Sequence, residues 1–258
     1  MAERDYLVFR IAAPMGAFGD IAVGERRATW DVPSKSGVLG MVAAALGIER
    51  TETAAHQALD EGLGFAVRQD LAGRPLRDYH TAQAPKARKD RTWRTRREEL
   101  EADDLNTVLS ERIYRIEAEA TVVLWVKADG GPSLTELEAS LKRPRFTLYV
   151  GRKACPLGWP PRPRVIAAEI VHAALVAFDA LEATTDRELR RFRPRRWESS
   201  APALWIEAGT EGDPGDQGRV LERRQRRDGL MNRSRWQFTD RTEARFEFAA
   251  PLHGEEAP

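Results

Sequence analysis

A chain of 258 residues, 42% hydrophobic and 31% charged, can bury a full core and is too short for more than about two domains. A formal net charge of +1 argues against a surface coated in phosphate contacts, the single cysteine, Cys155, excludes an intrachain disulfide, and four scattered histidines provide no Cys/His zinc spacing. No apolar run approaches the roughly 20 residues of a membrane span, and Met1 to Arg10 lacks an apolar signal core, so a cytoplasmic location is expected, with no metal or cofactor.

Leu7, Phe9 and Ile11 alternate with Val8 and Arg10, which predicts a first strand ending at Pro14. From Ser36 to Leu46 the positions Val38, Leu39, Val42 and Leu46 recur at helical spacing, with Ser36 as N-cap and Gly47 as terminator. A short helix near Thr53 to Glu61 leads to a second strand, where Phe65, Val67 and Gln69 alternate with Ala66 and Arg68. The region from Gly73 to Arg112 keeps no period and is dominated by charge, so it reads as a projecting hairpin or a disordered loop.

Tyr114, Ile116, Ala118, Ala120, Val122, Leu124 and Val126 then share one face of a third strand, opposite Arg115, Glu117, Glu119, Thr121 and Lys127. After the turn residues Asp129, Gly130, Gly131 and Pro132, Ser133 and Glu136 form a capping box for a second helix over Leu134 to Lys142. Phe146, Leu148 and Val150 alternate to give a fourth strand. The order strand, helix, strand, strand, helix, strand (βαββαβ) is the α+β, ferredoxin-like pattern also used by RNA recognition motifs, assigned here to residues 1–155. Residues 156–258 read as a reduced, mostly β lobe packed on the first. It has a Pro-rich turn at Pro156 to Pro163, a helix from Glu169 to Phe178, and strands near Leu204 to Glu207 and Arg245 to Phe248.

Three basic tracts stand out. From Lys86 to Arg97 lie Lys86, Arg88, Lys89, Arg91, Arg94, Arg96 and Arg97, with Trp93 among them and Glu98, Glu99, Glu101, Asp103 and Asp104 directly after. The others run from Arg187 to Arg196 and from Arg219 to Arg227. Each is either a solvated face or a phosphate surface, and Trp93 either stacks on a splayed base or packs on the domain. The helix entry PSKSG, with Lys35, Ser36 and Gly37, offers free amides to an anion, although it is not a Walker motif and a capped core helix also explains it. Arg77, Asp78, Tyr79 and His80 set a cation, an acid, a ring and a titratable base in succession, fit to stack a base, to take a 2′-hydroxyl proton, or to bond structurally. Arg145, Tyr149, Arg152 and Lys153 bracket Gly151 as phosphate contacts or a solvated edge.

Four segments, YLVFRIAAPMGAFG, PSKSGVLGMVAAALGI, LRDYHT and RPRFTLYVGRKACPL, resemble in order and spacing the CasD family of type I-E CRISPR Cascade subunits, over residues 6 to 157. Beyond Pro163 the resemblance thins to the helix at Glu169 to Phe178 and WQFTDR at Trp236 to Arg241, and Arg187 to Arg196 matches nothing. The resemblance implies a modified RNA-recognition fold with a projecting thumb, which fits about Leu76 to Arg112. It also implies a non-catalytic subunit in antiviral defence that holds the 5′ handle of the CRISPR RNA, caps the CasC backbone filament and abuts CasA, the large subunit that inspects target DNA. Carried over position by position, Lys35, Ser36 and Gly37, then Arg77, Tyr79 and His80, then Arg152 and Lys153 contact the handle. For Lys86, Arg88, Trp93, Arg94, Arg96 and Arg97 in the thumb, and for Arg145, charge and position alone point to RNA.

The third strand carries Glu117, Glu119, Thr121 and Trp125 where an RNA recognition motif has its aromatic pattern, so base stacking on the sheet is not expected. Two other functions stay open. In the first, a metal-independent endoribonuclease, as in relatives that process precursor RNA, would use Tyr79 and His80 with Lys35 stabilising charge. The second is a general single-strand binder without a complex.

Overall fold

The computed structural model describes residues 3–20, 22, 24–87, 92–127, 132–189, 202–209 and 220–248. The nine described strands form one sheet, whose main path runs β6 (Arg164–Ala168), β1 (Arg4–Gly16), β5 (Leu105–Val126), β3 (Leu63–Leu71), β7 (Ala203–Glu207), β9 (Gln237–Glu247), β8 (Val220–Asn232). A two-residue β2 (Arg26–Arg27) pairs with β5 in parallel, and β4 (Arg74–Pro85) pairs with it antiparallel.

Both faces of this sheet are covered. One packs Phe9, Phe65, Val122 and Leu124 against α1 (Lys35–Leu46) and α4 (Leu134–Lys142), through Val38, Val42, Leu137 and Leu141. The other packs Tyr6, Val8, Val123 and Trp125 against α5 (Val171–Leu189), through Val171, Leu175 and Phe178. A strand buried on both sides has no solvated row, which is why the runs at Leu7 to Phe9 and Val122 to Trp125 are continuously apolar. Short α2 (Thr53–Gly62) runs directly into β3, while α3 (Arg96–Leu100) sits between β4 and β5.

The charged excursion after Gly73 is a hairpin. β5 has 22 residues and two sets of partners. Its second half lies between β1 and β3, while its first half pairs with β4 from Arg74↔Ile116 to Pro85↔Leu105. At the branch point Gly73 has φ +64, and a Cβ there would sit 2.5 Å from the Ile116 carbonyl oxygen. Only glycine allows the chain to turn so close to its own partner strand.

Several expectations need correction. Phe146 to Val150 is not a strand: only an isolated bridge, Tyr149↔Pro156, forms there. The amides of Arg145 and Phe146 instead donate to the Ala45 and Ala44 carbonyls at the end of α1 (2.9 and 3.1 Å), so they are unavailable to a ladder. The edge of β1 is taken by β6. The N-cap of α1 is Ser34 rather than Ser36. β8 lies where an arginine-rich connection was expected, and α5 extends well past Phe178. The turn at 128–131 and the tract at 190–196 lie outside the described residues.

Gly64 pairs with Trp125 across β3 and β5, and a Cβ on Gly64 would overlap the fully buried indole. Gly64→Ala is expected to lower stability by about 2 kcal/mol or more through overpacking, read from the shift in urea midpoint. Adding Trp125→Phe should return part of that loss, and additive losses in the double variant would contradict the packing explanation.

Candidate nucleic-acid interface

The first turn of α1 is held by residues from distant elements. Ser34 Oγ accepts from the Gly37 amide at 3.1 Å, and the Lys35 amide donates to Asp228 Oδ2 on β8 at 2.8 Å. Among the described residues the Ser36 amide meets no acceptor, so one N–H of the positive helix end remains for a ligand. Asp228 also receives both arms of Arg241, at 2.9 and 3.0 Å, and Arg241 reaches Glu243 at 2.7 Å. Arg226, fully buried, points its guanidinium at the Val32 and Pro33 carbonyls, both at 3.3 Å. This network ties β8 and β9 to the loop that leads into α1.

The charges tune one another. Burial penalises the Arg241 cation, yet Asp228 and Glu243 outweigh that and hold its pKa above the usual arginine value. For Arg226 burial prevails over the same two carboxylates, and its pKa falls.

Lys35 is the main correction to the expected site. Its side chain is only 2% exposed, and its ammonium sits 2.9 Å from Glu207 Oε1 and 3.0 Å from the Asp60 carbonyl. It holds β7 and the end of α2 against α1, and in this arrangement it cannot reach a phosphate in solvent. A lysine beside a helix start looks like an anion ligand in sequence; its partner 172 residues away is not visible there.

Above this network opens a cleft of about 940 Å³, walled by the outer face of α1, residues 17–20 and 27–30, the 147–152 loop and the β8–β9 hairpin. It brings together Ser36, Gly37, Tyr149 and Arg152. Gly151, φ +78, presses on the Ala17 backbone and seats the 147–152 loop. Arg152 donates to the Ile113 and Arg27 carbonyls (3.0 and 3.1 Å) and lies 4.5 Å from the Tyr114 ring centroid, fixing that loop to the root of the long hairpin.

The remaining expected residues lie outside the cleft. Arg145 packs over Gly47 at the far end of α1, and Lys153 is exposed. On the hairpin, Arg77 pairs with Glu111 at 2.5 Å, Tyr79 is 62% exposed, and His80 Nε2 lies 2.6 Å from Asp78. Lys86 pairs with Asp104, Arg96 with Glu99 and Arg97 with Glu101, at 3.0, 2.6 and 2.9 Å, and the Arg94 amide donates to Glu98. The acids after the basic tract therefore pair with Lys86, Arg96 and Arg97. Trp93 is half-buried, and Arg88 lies outside the described residues. Sequence reasoning missed the tip of the β8–β9 hairpin, which contributes Arg227, Met231, Arg233 and Trp236 to the cleft. Its only signals were the arginine tract ending at Arg227 and the WQFTDR segment.

A family model described as CRISPR-associated protein (Cas_Cas5) matches residues 6–242. The chain is similar to the CRISPR system Cascade subunit CasD of Escherichia coli (strain K12), 38% identical over 165 residues that cover 61% of this chain and 69% of that protein. Among solved structures, a chain of a CRISPR RNA-guided surveillance complex is 25% identical with a TM-score of 0.59, covering 96% of this chain and 91% of the other. A structure described as a Cas protein shares the fold at 21% identity and a TM-score of 0.52, over 94% of each chain.

Lys35→Ala is expected to destabilise the free protein by about 3 kcal/mol, because the buried Glu207 would lose its hydrogen-bonded ammonium. Lys35→Met combined with Glu207→Leu should recover most of this in thermal or urea unfolding, while Ser36→Ala should change stability little. A Lys35→Ala protein as stable as the parent would remove the structural role assigned to the ammonium.

Proposed function

Because the chain belongs to the Cas5 family of CRISPR-associated proteins, we propose that it is a CasD-type subunit of a Cascade surveillance complex and that its cleft holds the 5′ handle of the CRISPR RNA. The observation that carries this is the convergence of two segments far apart in sequence, the start of α1 and the 147–152 loop, on one cleft. A helix N-terminus with a spare amide and arginine donors suit a phosphodiester backbone, which is gripped for position rather than read for sequence. The strand order β6-β1-β5-β3, with α1 and α4 on one face, supports the ferredoxin-like reading.

In this proposal the β4–β5 hairpin is the thumb, spanning about 76–112. The subunit caps a CasC filament and abuts CasA, meets target DNA only through the complex, and works in the cytoplasm in antiviral defence. The ferredoxin-like unit ends near residue 155 and the rest forms a reduced lobe. That boundary must accommodate β6, which closes the first unit's sheet from beyond it. Among the described residues no helix is long and apolar enough to cross a membrane.

The endoribonuclease alternative draws on the 2.6 Å contact between His80 and Asp78. Against it, neighbours in a strand point to opposite faces, which separates Tyr79 from His80, and Lys35 is buried against Glu207. The subunit is therefore read as non-catalytic. Repeat RNA incubated with the purified protein in chelator should stay intact; cleavage lost in His80→Ala would establish the alternative instead.

Expressed with a CRISPR RNA and the backbone and large subunits, the chain should co-purify with all of them, and its absence from the RNA-containing complex would overturn the proposal. Arg94→Ala, Arg96→Ala and Arg97→Ala together should reduce complex yield without altering the melting temperature of the free chain. An unchanged yield would remove the thumb's basic tract from the interface.

A further inference from the structure

Most buried or half-buried arginines of this protein are neutralised within it. Arg68 pairs with Asp70 and Asp179, Arg162 with Glu182, and Arg224 and Arg241 with Glu243. Half-buried Arg233 and exposed Arg50 have no carboxylate within ion-pair distance among the described residues. Both meet on one ring. The guanidinium carbons of Arg50 and Arg233 lie 4.7 and 4.5 Å from the centroid of the Trp236 ring, and Arg50 is tied there by a 2.7 Å bond to the Ser234 carbonyl.

Three further observations mark this tip as a site. Trp236 is 54% exposed and adopts φ +54, a left-handed conformation that bulky residues rarely take, so the turn holds an indole outward at a conformational cost. The Arg233 Nη2 lies 2.7 Å from where a Cβ on Gly40 would stand, so glycine in the middle of α1 makes room for that guanidinium in the cleft wall. Burial, with the nearby Arg50 charge adding to it, holds the Arg233 pKa below that of an ordinary arginine, as expected for a cation lacking its counter-ion.

We propose that Arg50, Arg233 and Trp236 clamp one nucleotide of a single-stranded RNA at the mouth of the cleft, with its phosphate between the two guanidinium groups and its base against the exposed indole. This rests on the reading of the protein as an RNA-holding subunit and adds a contact outside every segment that carried the family resemblance to the handle. An acidic peptide would satisfy the arginines and leave the indole without a partner. A nucleotide supplies both an anion and a π-face.

The test is equilibrium binding of the full chain to a fluorescent single-stranded RNA of about eight nucleotides across a salt series. Trp236→Ala should weaken binding about tenfold or more, with Trp236→Phe retaining most of it. Arg50→Ala and Arg233→Ala should each lower the slope of log affinity against log salt by about 0.7. Gly40→Ala should weaken binding with net charge unchanged, by displacing the Arg233 guanidinium. Melting temperatures identify any variant that fails to fold, and Arg233→Gln and Trp236→Leu, which also removes the ring, then stand in for it.

Variants that bind like the parent, with the parent's salt slope, would overturn the clamp and leave the subunit reading intact. A parent chain that binds no RNA would also overturn it, whereas the subunit reading is decided by co-purification. A Glu-rich peptide that binds as tightly as RNA and loses as much in Trp236→Ala would show the occupant to be protein.

Discussion

The carboxylate of Asp228 is the point on which the site depends. It accepts from the Lys35 amide, capping a helix that begins 193 residues earlier, and it holds Arg241 on the neighbouring strand. A buried carboxylate is costly to desolvate, and here the cost is offset only because a helix N-terminus and a guanidinium both face it. Together with Arg226 on the Val32 and Pro33 carbonyls, this joint fixes the β8–β9 hairpin against α1 and so shapes the cleft between them. The cleft is thus a product of the completed fold, assembled from contacts of very large sequence separation.

Charge is distributed by function more than the near-zero total suggests. Buried arginines such as Arg226 and Arg241 meet carboxylates and carbonyls and hold strands together. Arg96 and Arg97 on the hairpin meet acids three and four residues along α3, in exposed pairs that contribute little to stability. Such pairs exchange readily for phosphate, whereas the buried ones do not. At the cleft, Arg227 and Arg233 have no carboxylate within ion-pair distance among the described residues, and Arg50 joins Arg233 on the Trp236 ring.

The sequence disclosed the apolar skeleton and hid the polar joints. β1, α1, β3, β5 and α4 were legible because each repeats an apolar pattern at its own period. The strand read at Phe146 to Val150 shows the limit of that signal. Leu148 and Val150 are buried, so the alternation reported burial correctly, but a loop can bury alternate residues without joining a ladder. β8 was hidden by its charges: VLERRQRRDGLMN reads as a solvated connection, and only pairing with β9 makes it a strand. Ser34 and Ser36 are equally good caps by type, and backbone geometry alone selects the first. Of the residues singled out by local motifs, Ser36, Gly37 and Arg152 line the cleft, while the burial of Lys35 and the placing of Arg233 and Trp236 there depend on partners far along the chain.

β5 gives the molecule a mechanical property that neither half of the strand would have alone. Its 22 residues form one continuous strand, clamped between β1 and β3 at one end and paired with β4, and briefly with β2, toward the other. A beam anchored in this way is a cantilever: load applied at the hairpin tip becomes torque on the core, concentrated near Gly73 and Glu117, where the backbone takes positive φ. The projection is therefore continuous with the core sheet rather than joined to it by a linker, and its direction follows from the twist of that sheet and the backbone turns at Gly73 and Glu117.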